Sequence, residues 1–359
     1  MADRDSHSTC PFRSLPAEAY WRKALVQTPA KDVNPASKPS FRIAQTDAVA
    51  TAGSCFAQHI ARHLVGAGYN YFIPENAHPI VPPDLGKKYN YGTFSARFGN
   101  IYTPRQLLQL FHRAYGSFQP AEDVWIEGDR YYDPYRPLIQ PQGFPDEASY
   151  LADRQEHFAA VRRMVEECNV FVFTLGLTEA WVSRIDGAVF PVCPGCGTGT
   201  FDPDRYEFVN FTASETASDL RLALEFIRAK NPDVRFVVTV SPVPLIATAA
   251  HRHVLVSTTY SKAALRVAAE EVTAALSDCE YFPSYEIITG AYNRGAYFDD
   301  DLREVKPEGV AHVMRCFAET FLDRSAKAAS PRKAGKKVRP MSTVLNDIIC
   351  DEETLIAAE

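Results

Sequence analysis

The stretch Asn169-Val170-Phe171-Val172-Phe173-Thr174-Leu175 is an almost unbroken apolar run. A strand with one wet face would alternate apolar and polar residues. A continuous run bounded by polar residues instead predicts a parallel strand buried on both faces, and that burial requires helices on both sides. The chain supplies them. A second buried strand is expected at 234–240, and further strands at 69–73 and 281–288. Helical spacing covers 146–168, where Phe158, Val161, Met164 and Cys168 recur every three or four residues. Further helices are expected at 220–230, at 261–276 with Ser261 as its cap, and at 307–322 with Pro307 at its start. Thr103-Pro104 opens another helix that runs to about Tyr115 and stops at Gly116. A hairpin around Glu127-Gly128-Asp129 and a proline-rich loop over 74–89 complete the expected elements. Alternating helices and buried strands predict an α/β protein, with a mostly parallel sheet between two helical layers.

The expected α/β domain spans 41–322. Before it, residues 1–40 form an extension whose short helix, 16–24, is expected to clamp onto the body through Tyr20 and Trp21. After it, 323–340 is a basic flexible linker, and 341–359 carries apolar residues among acids and is a candidate protein-docking tail. With a net charge of −6, general nucleic-acid binding is not expected. No stretch approaches 18 uninterrupted apolar residues, so no membrane span is expected. The N-terminus lacks the apolar core of a secretory signal, and the eight cysteines are scattered, which together predict reduced thiols and a cytoplasmic location.

In a parallel sheet the chemistry gathers at the carboxyl ends of the strands. The first strand ends at Thr51-Ala52-Gly53-Ser54-Cys55-Phe56-Ala57, and the apolar period then becomes helical through Phe56, Ile60 and Leu64. Ser54 therefore stands at a strand exit and a helix entrance. Two readings follow from this placement: a helix N-cap, or a nucleophile beside the positive end of a helix. The later exits bring Gly176-Leu177-Thr178-Glu179, Ser241-Pro242-Val243-Pro244 and an acidic loop holding Asp299, Asp300 and Asp301. A serine, then glycines with polar neighbours, then an acidic loop is the chain order of a serine hydrolase.

The Gly-Ser-Cys-Phe-Ala sequence at 53–57 resembles the signature of the GSCFA-domain family, a branch of the SGNH/GDSL hydrolase superfamily. The resemblance extends to Phe98-Gly99-Asn100-Ile101-Tyr102, to 175–181, to Ser241-Pro242-Val243, to 281–286 and to the closing helix. It implies a flavodoxin-like α/β/α fold and esterase or O-acyltransferase chemistry on an acyl ester of a glycan or small polyol. Ser54 would be the nucleophile and Gly99, with the Ser54 backbone N–H, would line the oxyanion hole. Gly176, Thr178 and Glu179 occupy the block that carries the oxyanion asparagine elsewhere in the superfamily, a role Asn100 is expected to take. No cofactor is implied, although acyl-CoA would serve a transferase as donor.

The superfamily places its base in an Asp-x-x-His-Pro motif. Here that stretch reads Asp301-Leu302-Arg303-Glu304-Val305-Lys306-Pro307, without a histidine. His312, inside the following helix, is the nearest histidine, so the expected catalytic set is Ser54, His312 and Asp301. His59 and Glu179 are the other candidate bases, and a binding module with weakened catalysis is the alternative. Cys193-Pro194-Gly195-Cys196 lacks the second ligand pair of a zinc site, so no metal is expected.

Overall fold

The computed structural model describes residues 10–323, so most of the linker and the whole docking tail expected above lie outside the described residues. Short 3-10 turns at Pro11–Ser14, Ala17–Ala19 and Ala30–Asp32 and a wide turn at Arg22–Val26 precede the first strand. In chain order the elements are β1 (Val49–Gly53), α1 (Ala57–Gly66), α2 (Pro83–Lys88), α3 (Pro104–Ala114), β2 (Trp125–Glu127), β3 (Arg130–Tyr132), α4 (Glu147–Glu167) and β4 (Val170–Leu175). They continue with β5 (Glu179–Ser183), β6 (Val189–Phe190), β7 (Tyr206–Asn210), α5 (Ala213–Lys230), β8 (Arg235–Val240), α6 (Val254–Ala275), β9 (Cys279–Phe282), α7 (Ser284–Thr289) and α8 (Pro307–Phe321).

The central sheet is parallel, in the order β1-β4-β8-β9. A parallel bridge between Val49 and Tyr71 adds the second extended segment outside β1. Taken by position in the chain, the order is 2-1-3-4-5, the flavodoxin-like winding. The β4 run is apolar throughout because alternate residues enter different layers. Phe171 and Phe173 pack with α3, α4, α5 and α6, while Val170 and Val172 pack with α1, α7 and α8. The expected three-layer α/β/α architecture is thus present.

Several elements differ from expectation. The strand expected at 69–73 shrinks to the single bridge at Tyr71, held by Val49 N–H to Asn70 O and Phe72 N–H to Val49 O. Within the proline loop, Pro83 takes the first position of α2, where its missing N–H costs nothing. The strand expected at 281–288 ends at Phe282, and Pro283 turns the chain into α7. Ser261 is not a cap: α6 starts two turns earlier behind His253, and the Ser261 Oγ accepts the N–H of Thr178. Trp21 does not clamp the extension, being 72% exposed. The extension meets α8 through other groups, with His312 donating to Val33 O and Arg315 to Lys31 O.

A small antiparallel sheet, β6-β5-β7, and the β2–β3 hairpin pack Trp125, Phe190 and Tyr206 beside the main domain. Between them and α4 lies a buried polar network. Arg97 bonds Asp153 at 2.6 Å, Arg136 bonds Asp133 at 2.8 Å and Asp153 at 2.9 Å, and His157 Nδ1 bonds Glu75 at 2.7 Å. Burial works to raise the Glu75 pKa, but His157, Arg136 and the Arg97 N–H outweigh it and bring it from 4.5 to about 2. A carboxylate with a depressed folded-state pKa contributes stability above its unfolded value, and loses that contribution as pH falls toward the folded one. Glu75→Gln should therefore be less stable than the parent at neutral pH. The gap should narrow as pH falls from 4.5 toward about 2, as read from urea midpoints across that window.

Candidate active site

Gly53 ends β1 with a φ of +134°, and a Cβ there would lie 2.3 Å from Thr174 O. Only glycine allows this approach of β1 to β4. The turn that follows brings Ser54 over the crevice between the two strands, and Ser54 N–H donates to Thr174 O at 3.1 Å. In the 2-1-3-4-5 winding this crevice is the topological switch point, where open α/β sheets hold their ligands.

Ser54 is not the cap of α1. Phe56 holds the N-cap position, and Ser54 contributes only its carbonyl, which accepts the Ala57 N–H at 2.9 Å. Its Oγ is buried and has no hydrogen-bond partner among the described residues, in a side chain only 3% exposed. Ser54 lines a recess of about 180 Å³ whose walls come from three strand exits: Ser54 and Cys55 after β1, Gly176 and Leu177 after β4, and Ser241 and Val243 after β8. Tyr102 closes the fourth side. Gly176 is tightly enclosed, since a Cβ there would meet the Ser54 Cβ and the Tyr102 ring at 3.0 Å.

Of the expected site residues, the structure brings Ser54 and Gly176 together. Gly99 and Asn100 lie close behind. Gly99 takes a φ of +71°, and Ile101 N–H bonds Gly53 O at 2.9 Å, which ties this segment to the end of β1. Asn100 is buried, and its carbonyl accepts Gln106 Nε2 at 3.0 Å. The same glutamine accepts the Tyr102 N–H at 3.0 Å and so fixes the Tyr102 wall. Three backbone donors near Ser54 are already engaged: Ser54 N–H bonds Thr174 O, and the N–H groups of Gly176 and Leu177 both bond Tyr102 O.

The remaining expected residues do not line the recess. Thr178 bonds Asn210 Oδ1 at 2.7 Å, and Glu179 accepts from Thr248 Oγ1 at 2.7 Å. Asp301 accepts the N–H groups of Arg303 and Glu304, both at 2.9 Å, and so shapes its own loop. His312 has both ring nitrogens engaged, with Nε2 to Val33 O at 2.9 Å and Nδ1 to the Tyr297 hydroxyl at 2.7 Å. A carbonyl can only accept, so Nε2 carries the proton. Burial lowers the His312 pKa, which keeps the ring neutral and lets Nδ1 accept from Tyr297. His59, on α1, packs against the Phe56 ring, and burial with the neighbouring Arg62 lowers its pKa to about 4.

Sequence reasoning passed over Tyr102 and Lys262. Lys262 is 1% exposed, and its ammonium donates to Gly176 O at 2.8 Å, directly behind the recess. The signal was present: the buried face of α6 runs through Ser257, Ser261, Leu265 and Ala268, and a lysine at 262 stands on that stripe. Lysine is almost never fully buried without a specific partner. Lys262→Met should leave the Gly176 carbonyl without its donor and lower stability by about 1–3 kcal/mol, the cost of one buried unsatisfied acceptor. A shifted urea midpoint at unchanged slope is the expected reading.

Among the described residues no group of three or more His, Cys, Asp and Glu side chains is arranged to hold a metal ion. No described helix is long and apolar enough to cross a membrane. No curated protein matches the chain. The GSCFA family matches residues 48–317, from the start of the first strand into the last helix, and the chain belongs to that family.

Proposed function

We propose that the chain is an acyl-ester hydrolase or O-acyltransferase of the SGNH type, with Ser54 as nucleophile and an acyl-serine intermediate. The observation that carries this reading is the Ser54 hydroxyl itself. It is buried at the switch point of the sheet, belongs to a residue that lines a recess, and has no hydrogen-bond partner among the described residues. A buried hydroxyl without a partner costs stability, and such a cost at a strand-end crevice is the mark of a working group. In the proposed step the hydroxyl oxygen attacks the ester carbonyl, the alkoxide leaves with a proton, and water or a second alcohol takes the acyl group. An acyl ester of a glycan or small polyol is the proposed substrate. A cytoplasmic location would add acyl-CoA as a donor.

The Lys262 ammonium, on the far side of Gly176, contributes positive potential where negative charge develops on the attacked carbonyl. Opening of the bonds from Ser54 N–H to Thr174 O and from Gly176 N–H to Tyr102 O would release the oxyanion donors, so substrate entry is coupled to a small movement of the 98–102 segment.

A second reading, a binding module with weakened catalysis, is favoured by one observation: both nitrogens of His312 are already engaged away from Ser54. The two readings separate on one experiment. Short p-nitrophenyl esters should be turned over by the parent chain, and Ser54→Ala should reduce that turnover by roughly a thousandfold or more. A serine-directed fluorophosphonate should label Ser54 one to one. Equal turnover in the two proteins, or no labelling of the parent, would leave the binding module.

A further inference from the structure

A second recess, of about 330 Å³, opens on the other side of the 98–106 segment. Two guanidinium groups line it. Arg136 is 3% exposed and spends Nε on Asp133 and Nη2 on Asp153, while its buried Nη1 has no hydrogen-bond partner among the described residues. Arg113, from α3, is 8% exposed and stacks over the Tyr135 ring at 3.8 Å and near the Phe158 ring at 5.3 Å. Among the described residues its guanidinium has these ring contacts and no hydrogen bond or ion pair. An arginine cannot shed its proton to escape burial, and a buried guanidinium without an oxygen acceptor is expensive. The opposite walls, Phe98, Ile101, Leu110 and Val189, are apolar.

We propose that this recess binds the carboxylate of a short aliphatic acid. Its oxygens would bridge Arg113 and the Arg136 Nη1, and its hydrocarbon end would rest on the apolar walls. Paired N–H donors suit a planar carboxylate. A phosphate dianion fits less well, because Asp133, Asp153 and Glu75 already surround Arg136 and a second negative charge would be repelled. The proposal concerns binding alone and stands whether or not Ser54 is a nucleophile.

Calorimetric titration of the full chain with sodium acetate, sodium propionate and sodium phosphate, against sodium chloride at equal ionic strength, tests it. Acetate and propionate should bind one per chain, and Arg113→Met, which keeps the stacked volume without the charge, should bind them at least about tenfold more weakly, the value of one lost charge-assisted bond. No heat beyond chloride, unchanged binding in Arg113→Met, or phosphate binding tighter than either acid would each overturn the proposal. Should that variant fail to fold, crystals of the parent soaked in propionate decide. Density between the two guanidinium groups is expected, and its absence there overturns the site.

Discussion

Thr174 O sits where a side chain on Gly53 would have to be, 2.3 Å from the position a Cβ would take, and it accepts the N–H of the next residue, Ser54. That one approach sets most of the site. It closes the register of β1 on β4, in which Gly53 faces Thr174, and it lifts Ser54 out of the sheet before α1 begins. Ser54 consequently cannot serve as the cap of α1, and its hydroxyl is left without a hydrogen-bond partner among the described residues. The carbonyl of Gly53 then fixes a second segment, because it accepts the N–H of Ile101. From there Gln106 braces Asn100 and Tyr102, and Tyr102 O in turn holds the exit of β4 through Gly176 and Leu177. A single glycine therefore positions three of the four walls around Ser54.

How much of this was legible in the sequence depends on whether the signal was local. The β4 run could be read as doubly buried because its neighbours Phe171 and Val172 must enter different helical layers, and no solvated strand tolerates that. The capped start of α3 was equally plain, since Thr103 accepts the Gln106 N–H and Pro104 takes the first helical position. The start of α5 had as strong a signal in Thr212 and Glu215, which form a reciprocal capping box, but the apolar period begins only near Leu220. At Tyr71 the sequence overstates the edge strand, because β propensity says nothing about how many residues find a partner. The antiparallel trio β5, β6 and β7 left no clear pattern, for it packs aromatic rings on a patch of the domain rather than on a continuous core. The network of Glu75, Arg97, Asp133, Arg136, Asp153 and His157 was invisible for a different reason. Its members come from separate loops and from α4, so no spacing along the chain announces them.

The same distinction explains the site. Ser54 is announced by a strand, a glycine and a helix within seven residues, whereas a base comes from a distant segment and is announced only by a motif. His312 occupies the region where such a motif would stand, yet the fold spends it elsewhere. Its two nitrogens join Tyr297, on the loop before α8, to Val33, in the N-terminal extension. Moving the ring to Ser54 would break both bonds and leave the Val33 carbonyl and the Tyr297 hydroxyl to find new partners, a cost of about 1–3 kcal/mol for each one left buried. Lys262 needs no such movement. It already stands behind Gly176, it is almost wholly buried, and it projects from the face of α6 that packs on the sheet. The fold thus sets a lysine, rather than an imidazole, behind the Gly176 wall of the recess that Ser54 lines.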